Sequence, residues 1–336
     1  MNVIGMKAKS ILFLILVFGI FGLARRPLAA TIQAASCSQA DLKAAIIAAS
    51  NGDTVTLSGN CTWVAYHKGL PDEQFYAVII NKPITLQGIG NPVISHGDQR
   101  PAGAPDIVMV FIQPTDEHIN DFVRVSGIYF ENIVFCPSCN ANLYTPDITV
   151  SGAKNFRLDH NTFHNGKDPL RTSGWSNGVI DSNLFDDTDL GVRPTDDADY
   201  YNRRPTTDAW GRPLKPGSAD FVFIENNSFT TSSKAGCSTL NEYLYHSNGA
   251  RAVSRYNNFT NYCTEYNMAG YDAVDAHGLP GCDRGSVLQE IYNNKFEFTG
   301  GPMVAWFNLR GGSFLIHDNV ITTAGRPEQI RPEILP

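Results

Sequence analysis

The chain has 336 residues, of which 43% are hydrophobic and 11% aromatic, and its 26 basic and 33 acidic residues give a formal net charge of −7. This composition excludes an intrinsically disordered chain and supplies enough apolar side chains for a large buried core. The acidic balance argues against nucleic acid as a partner, because binding to phosphates requires an excess of Lys and Arg. An anionic polymer can bind only where a local strip of basic residues exists.

The N-terminal segment has the layout of a secretory signal peptide. Lys7 and Lys9 precede an apolar run over residues 11–23, which is too short for a membrane span. We predict a signal peptide over residues 1–30, a secreted or cell-surface protein, and no membrane span after cleavage. Cleavage removes four basic and no acidic residues and moves the formal net charge from −7 to −11. The alternatives are a retained N-terminal anchor and a lipoprotein signal that ends at Cys37.

A short amphipathic helix and a strand follow this segment. Ser38 suits a helix N-cap, residues 42–50 place apolar side chains on one helical face, and Asn51 and Gly52 end the helix. Residues 53–57 alternate as a strand does. A helix in this place can shield the open edge of a stack of strands.

Seven cysteines in an exported chain suggest disulfides. Cys37 precedes the helix and Cys61 follows the first strand, and we predict that these two are paired. Cys136 and Cys139 either close a small loop or bind a metal, and the first interpretation is favoured because no further soft ligands lie nearby. The pairing of the remaining cysteines is open: Cys237, Cys263 and Cys282.

Residues 77–135 predict several short strands without a reaction centre. Three histidines in the first part of the chain, His67, His96 and His118, have no chemical partners near them in sequence. Each is expected to be a surface or loop residue.

A short pattern recurs through the second half of the chain: alternating residues that end in Asn, any residue and an apolar side chain, usually Phe. The first clear copy is residues 156–163 (FRLDHNTF), and the later copies are residues 179–185, 223–229, 254–259, 291–296 and 316–321. An earlier copy at residues 130–135 has its Asn one place out of register. The spacing between these Asn residues varies: it is 22 from Asn161 to Asn183, 30 from Asn227 to Asn257 and 37 from Asn257 to Asn294. One strand-like rung with connections of variable length explains this variation, whereas a helical repeat does not.

Stacking of these copies places Phe on Phe in a continuous core, with the Asn at a left-handed bend and its amide paired to the next coil. The sequence therefore predicts an all-β fold, a right-handed parallel β-helix over residues 31–325 with an N-terminal capping helix, followed by a Pro-rich tail over residues 326–336. Residues 158–163 (LDHNTF) resemble a strand ending common in the pectate-lyase-like (pectin lyase fold) superfamily. The resemblance covers roughly residues 38–323 and implies the fold rather than an activity.

Residues 186–219 form a long connection between two rungs. This segment mixes several aspartates with arginines and aromatic side chains, among them Trp210. Long loops on a rigid scaffold often carry function, and aromatic rings stack on sugars. We expect Trp210 to contact a substrate; the alternative is a solvated flap.

A second, less regular strand precedes most rungs and ends in a turn. Its copies are residues 170–174, 190–193, 244–249, 274–278 and 308–312. Equivalent residues in a parallel stack lie about 4.8 Å apart. We expect a basic strip on one face, with Asp275 beside one of its histidines; the strip consists of Arg171, Arg193, His246, His277 and Arg310.

Such a strip suits an acidic polysaccharide. β-Elimination at a uronic acid requires a cation that neutralises the carboxylate and a base that removes the α-proton. We predict Arg310 for the first role, His277 or His246 for the second, and Asp275 to orient His277. The predicted polymer-binding residues are Arg171, Arg193, Arg251, Tyr245 and Trp210. The alternative is that these side chains only solvate the outer face of the strands.

A second outward column lies four residues before each Phe and contains Asp159, Asp181 and Glu225. Stacked carboxylates repel one another unless a cation lies among them. The resemblance to pectate lyases implies a calcium site here. The favoured alternative is an ion-pair ladder in which Arg157 and Arg255 neutralise the acids.

The motifs of known β-helix enzymes are mostly missing. The Arg-x-Pro-x-x-Arg segment of pectate lyases is absent, as are the Lys-Ser and Arg-His-Gly segments of alginate-type lyases, and residues 276–278 (AHG) only approach the Gly-His-Gly of galacturonan hydrolases. The chain most resembles exported β-helix proteins with Asp-Ala-His-Gly and Arg-Gly-Gly segments. We predict a secreted carbohydrate-active protein, a polysaccharide lyase rather than a glycoside hydrolase; the alternative is a non-catalytic adhesin, glycan-binding or structural surface protein.

Overall fold

A computed structural model describes residues 28–64, 76–97, 108–132, 146–196, 209–232, 242–262, 272–277, 285–298, 305–323 and 330–332. Within these ranges the chain forms one α-helix, α1 (Gln39–Ala48), two short 3-10 turns (Asp116–His118 and Ala209–Gly211), and 28 strands numbered β1 to β28 in chain order. Residues 1–27 of the predicted signal peptide lie outside the described ranges. Five of the cysteines and most of the predicted tail also lie outside these ranges.

The strands form three parallel sheets, which we call A, B and C. Sheet A contains β1 (Thr31–Gln33), β2 (Thr54–Leu57), β5 (Thr85–Gly88), β8 (Val123–Ser126), β11 (Phe156–Asp159), β14 (Gly178–Asp181), β17 (Val222–Glu225), β20 (Arg251–Arg255), β23 (Leu288–Tyr292) and β26 (Ser313–His317). Sheet B contains β3 (Cys61–Trp63), β6 (Val93–His96), β9 (Tyr129–Glu131), β12 (Thr162–His164), β15 (Leu184–Asp186), β18 (Ser228–Thr231), β21 (Asn258–Asn261), β24 (Lys295–Phe298) and β27 (Val320–Thr323). Sheet C contains β4 (Tyr76–Ile80), β7 (Val108–Ile112), β10 (Ile148–Ser151), β13 (Leu170–Ser173), β16 (Val192–Pro194), β19 (Glu242–His246), β22 (Asp272–Ala276), β25 (Ala305–Leu309) and β28 (Ile330–Pro332).

From β2 onwards each coil adds one strand to sheet A, one to sheet B and one to sheet C, in that order. Each strand pairs in parallel with its counterparts in the neighbouring coils, as β11 does with β8 and β14. The fold is therefore a right-handed parallel β-helix, and the prediction is confirmed.

The predicted aromatic stack runs through the interior of sheet B. Phe163 stacks on Phe185 at 4.9 Å between ring centroids, Phe185 on Phe229 at 4.5 Å, and Phe229 on Phe259 at 4.7 Å. Phe296 continues the stack, and all of these rings are buried. Each ring covers the apolar surface of the preceding coil, because a single coil cannot bury that surface alone.

The stack also corrects one boundary. We expected the early copy over residues 130–135, with Phe135 as its closing aromatic residue. Phe130 is the residue that pairs with Phe163, at 5.5 Å between ring centroids, so the copy ends five residues earlier than expected and covers residues 123–130. Phe135 lies outside the described residues.

A ladder of buried asparagines follows the corner between sheets A and B. Asn183 Nδ2 donates to Asn227 Oδ1 at 3.0 Å, and Asn227 Nδ2 donates to Asn257 Oδ1 at 3.1 Å. The amide pairing is as predicted, but the left-handed residue is the one before each Asn, for example Asn226 with φ 56°. The ladder Asn is thereby free to point inwards, where its amide satisfies backbone groups of the corner.

The N-terminal end is closed by helix α1. The side chain of Ser38 accepts a hydrogen bond from the backbone N–H of Asp41, which confirms the N-cap. Cys37 and Cys61 form the predicted disulfide, and Trp63 Nε1 donates to the carbonyl of Cys37 at 2.8 Å. Strand β1 was not predicted.

Connection lengths differ around the coil. From β8 onwards the chain passes from sheet A to sheet B through two residues, as between Asp159 and Thr162. Connections into and out of sheet C are longer and variable, for instance from Thr231 to Glu242 and from Pro194 to Val222. Because functional sites are usually built from variable loops on a rigid scaffold, the outer face of sheet C is where we expect one.

Among the helices described, none is long and apolar enough to cross a membrane.

Candidate functional site on sheet C

Three of the four predicted catalytic residues meet on the outer face of sheet C. Asp275 lies in β22, His277 follows that strand, and Arg310 follows β25 in the next coil. His277 Nδ1 lies 3.0 Å from Asp275 Oδ2, and Arg310 Nε donates to Asp275 Oδ1 at 3.0 Å. A second, very short contact joins Arg310 Nη2 to Asp275 Oδ2. These three residues form one connected group, which we call the sheet C triad.

Tyr245 of the preceding coil packs against this triad. The centroid of its ring lies 4.6 Å from that of His277, and the guanidinium of Arg193 lies 4.6 Å from the same Tyr245 centroid. Arg193, Tyr245 and Asp275 occupy equivalent places in three successive strands, because Val192 pairs with Leu244 and Tyr245 pairs with Asp275. The ring of Tyr245, which itself makes a cation–π contact with Arg193, therefore packs against the imidazole of His277.

The imidazole has two possible hydrogen-bond states. Arg310 Nη2 lies 2.6 Å from His277 Nδ1, and Arg310 can only donate. If Nδ1 accepts from Arg310, Nε2 carries the proton. If Nδ1 carries the proton and donates to Asp275, Nε2 has a free lone pair. Side-chain exposure is 15% for His277 and 16% for Arg310, whereas Asp275 is fully buried, so the triad is reached from solvent through the histidine and the arginine.

Two further acidic residues lie beside the triad. Glu242 and Asp272 pair with each other in register, and Asn308 Nδ2 donates to Asp272 Oδ2 at 2.8 Å. Burial, reinforced by the charges of Asp275, Asp189 and Asp272, raises the pKa of Glu242 well above its usual range. Glu242 therefore holds a proton more readily than an exposed glutamate does. Sequence reasoning missed Glu242, which could only be recognised once its neighbours in other coils were known.

His246 does not belong to this face. It pairs with Ala276, not with His277, and is completely buried on the inner side of sheet C. Burial lowers the pKa of His246 to about 4, with Gln289 and Asp275 acting in the opposite direction. The expectation that it lines the outer strip as a base is therefore wrong.

The predicted strip is also not a single column. Arg171 and Arg193 pair in register, but His277 and Arg310 lie two places further along their strands. Arg171 is 1% exposed and its Nε donates to Asp168 Oδ2 at 2.5 Å, while Arg193 Nη1 donates to the same oxygen at 3.2 Å. Both arginines are thus held in ion pairs.

Trp210 lies in the long connection between β16 and β17, and Arg251, the first residue of β20, contacts that connection. Arg251 is 3% exposed; its Nη2 donates to the carbonyls of Ala209 and Arg212, and its Nη1 lies 3.3 Å from Asp196 Oδ2. Arg251 thereby joins the two described ends of this connection. Trp210 is 36% exposed. Residues 197–208 lie outside the described residues.

The acidic column of sheet A is neutralised by arginines. Arg124 Nε donates to Asp159 Oδ1 at 2.6 Å, Arg157 Nη2 to Asp181 Oδ2 at 2.8 Å, and Arg255 Nε to Glu225 Oε2 at 2.6 Å. This is the arrangement of an ion-pair ladder. In the part of the chain that is described, no group of three or more His, Cys, Asp or Glu side chains is arranged to hold a metal ion.

Two histidines have partners that the sequence did not reveal. His96 is 6% exposed, and its Nε2 lies 2.5 Å from Oδ1 of the buried Asp147, so the expectation of a surface residue is wrong. His164 lies between two carboxylates on the outer face of sheet B, with Nδ1 2.9 Å from Glu131 and Nε2 3.8 Å from Asp186. His118 is a surface residue, as predicted, and lies 2.8 Å from Asp121.

The chain was also compared with known proteins. No protein-family model matches it, and no match is found among the curated proteins. The functional assignment therefore depends on the geometry of the site.

Proposed function

We propose that this protein is an exported, carbohydrate-active member of the pectate-lyase-like β-helix superfamily, and that the sheet C triad cleaves a uronic-acid-containing polysaccharide by β-elimination. The convergence of Asp275, His277 and Arg310 on one outer face supports this proposal most strongly. An imidazole oriented by a carboxylate beside a guanidinium supplies both groups that the elimination requires. The disulfide between Cys37 and Cys61 is compatible with an extracytoplasmic location.

Each group has a defined role in this reaction. His277, with Nδ1–H donated to Asp275, removes the proton from the carbon α to the substrate carboxylate through Nε2. The electron pair left behind forms a double bond to the adjacent ring carbon, and the bond from that carbon to the glycosidic oxygen breaks. Glu242, with its raised pKa, is suited to protonate the leaving oxygen.

Arg310 is suited to bind the substrate carboxylate. Among the described residues its hydrogen bonds engage Nε and Nη2, which leaves the two N–H groups of Nη1 to donate to a substrate carboxylate. The hydrogen bond and charge of Asp275 hold the pKa of Arg310 above its usual value against the effect of burial, so its charge persists at every working pH.

The proposal is tested with the purified protein and a panel of uronic-acid polymers, with and without calcium. Elimination gives an unsaturated product that absorbs in the ultraviolet, whereas hydrolysis gives reducing ends without this absorbance. We expect ultraviolet-absorbing products from at least one polymer. Reducing ends alone would identify a hydrolase, and the absence of both products across the panel would overturn the enzymatic proposal.

A second candidate is a non-catalytic glycan-binding β-helix. The observation that favours it is that the basic residues of sheet C are engaged by carboxylates, Arg171 and Arg193 by Asp168 and Arg310 by Asp275. Polysaccharide binding would then survive the paired replacement His277→Ala and Arg310→Gln, without any product. Binding that depends on both residues and is followed by cleavage would exclude it.

A further inference from the structure

We propose that the corner between sheets A and B, over the last three described coils, is a second carbohydrate site that binds a neutral oligosaccharide chain. A groove of about 460 Å3 lies there, lined by Tyr256, Asn257, Asn258, Asn293, Asn294, Lys295, Asp318 and Val320. None of these residues belongs to sheet C, so the groove is separate from the sheet C triad. We call it the corner groove, and its existence does not depend on the proposed β-elimination.

The chemistry of the lining suits sugar hydroxyls. Asn258 and Asn293 are exposed, and each side-chain amide offers both donors and an acceptor, as sugar hydroxyls require. Tyr256, with 51% of its surface exposed, presents an aromatic face for the apolar side of a pyranose ring. Three coils at about 4.8 Å each let a chain of sugars lie along the groove instead of a single ring.

The conformation of Tyr256 is a second, independent observation. It occupies the left-handed corner position with φ 59°, where other coils have Ser182 or Asn226. A bulky side chain is unfavourable in this conformation, whereas Asn tolerates it well. A strained residue at an exposed place where a small polar one would serve points to a function for its ring.

The rim of the corner groove is held rigid by its neighbours. The ring of Tyr292 stacks on that of His317 at 4.9 Å with the planes 4° apart, and Arg255 Nη1 donates to the hydroxyl of Tyr292 at 3.0 Å. Tyr256 meets Tyr292 edge-on at 6.4 Å. A preformed aromatic surface of this kind loses little conformational entropy when it binds a ligand.

Charge balance indicates a neutral ligand. Lys295 Nζ lies 2.8 Å from Glu297, and Asp318 Oδ2 lies 2.8 Å from His317 Nδ1. Because each charged side chain of the lining has a counterpart of opposite or titratable charge, the groove presents no excess cation for a polyanion. A hydroxyl-rich neutral glycan fits this surface better than the acidic polymer expected at sheet C.

The test is affinity electrophoresis of the intact protein in gels that contain soluble xylan, mixed-linkage β-glucan or galactomannan. We expect retardation by at least one of these polymers. Tyr256→Asn, which keeps a residue suited to the left-handed position, should weaken that binding about tenfold or more. The matched control His160→Asn changes the same corner position in an upstream coil and should leave it unchanged. His277→Ala should also bind normally, which keeps this test distinct from that of the sheet C triad.

Three outcomes would overturn the proposal. The first is the absence of retardation by all three polymers. The second is retardation that Tyr256→Asn does not change. The third is concentration-dependent self-association in sedimentation experiments that Tyr256→Asn abolishes, because the occupant of the corner groove would then be a second copy of this chain.

Discussion

The ring of His277 lies against the ring of Tyr245, with their centroids 4.6 Å apart and their planes 29° apart. The two residues are separated by more than thirty positions in the chain, yet they become neighbours because β19 and β22 pair in register. Asp275 of β22 contacts His277, which follows the same strand, and Arg310, which follows β25 in the next coil. A parallel stack thus assembles the candidate site from three coils, and each coil contributes one or two side chains.

The first prediction concerns His277 as the base. His277→Gln removes the Nε2 lone pair that accepts the proton, and general-base catalysis typically contributes 10²–10⁴-fold. We expect kcat/KM for the polymer that proves to be a substrate to fall by about 10²-fold or more, measured from the ultraviolet absorbance of the product. The control is His160→Asn, on an exposed corner far from sheet C, which should retain full activity. A His277→Gln variant with unchanged kcat would show that another group removes the proton.

The second prediction concerns the buried His246 and acid stability. The pKa of His246 is lowered to about 4 in the folded protein, whereas an unfolded chain titrates near its ordinary value of about 6.5. Between these values the unfolded state binds a proton that the folded state does not, so the free energy of unfolding decreases as the pH falls through this window. The loss reaches at most about 3 kcal/mol and is absent above pH about 7.

His246→Leu removes this contribution, and Leu309 already occupies the equivalent position two coils further along sheet C. The measurement is urea unfolding of both proteins at pH 7.5 and pH 4.5. We expect the difference between the two pH values to be smaller in the variant. The buried Asp189, whose pKa is raised to about 7, acts in the opposite direction but is common to both proteins and cancels in the comparison. Identical pH dependence in the two proteins would show that His246 is not the titrating group.

How far the sequence predicts this molecule depends on local markers. In sheets A and B the Asn-x-Phe pattern marks which residue points inwards, so the stack of Phe163, Phe185 and Phe229 could be predicted. Sheet C has no such marker, so its strands were aligned on the turns that follow them. This alignment placed His246 level with His277, whereas it pairs with Ala276, one residue earlier. A shift of one residue in a strand moves a side chain to the other face of the sheet.

Pairs from distant coils were beyond local reasoning altogether. His96 and Asp147 are separated by 51 positions, and nothing near either residue indicates the other. The same holds for Glu242, whose pKa is raised by burial and by the charges of Asp275 and Asp272 in β22 and of Asp189 between β15 and β16. The left-handed corner was assigned to Asn because Asn adopts this conformation more often than other residues. Packing instead requires the Asn inside the corner, as part of the ladder.

The third prediction concerns calcium at the acidic column of sheet A. Asp159, Asp181 and Glu225 each already have an arginine at 2.8 Å or less, so a cation would have to displace an existing ion pair. We expect millimolar calcium or a chelator to leave the melting temperature unchanged, as measured by differential scanning fluorimetry. If calcium instead raises the melting temperature through mass action, and Asp181→Asn abolishes that rise, the column is a metal site.

The last prediction concerns the asparagine ladder as the element that fixes the corner between sheets A and B. Asn227 is completely buried; its Oδ1 accepts from the backbone N–H and side-chain amide of Asn183, both at 3.0 Å, and its Nδ2 donates to the carbonyl of Ile180 at 2.8 Å. Asn227→Ala leaves these groups buried without partners. At about 1 kcal/mol for each lost hydrogen bond, we expect the free energy of unfolding to fall by roughly 3 kcal/mol or more.

The neighbouring Asn258 provides the matched control, because the same replacement at this exposed residue removes a side chain from solvent and should change stability by no more than about 0.5 kcal/mol. Both variants can be compared by urea unfolding followed by far-ultraviolet circular dichroism. Equal effects at Asn227 and Asn258 would mean that the strand ladders alone hold adjacent coils together. A large loss at Asn227 only would mean that the corner amides set the register on which both the sheet C triad and the corner groove depend.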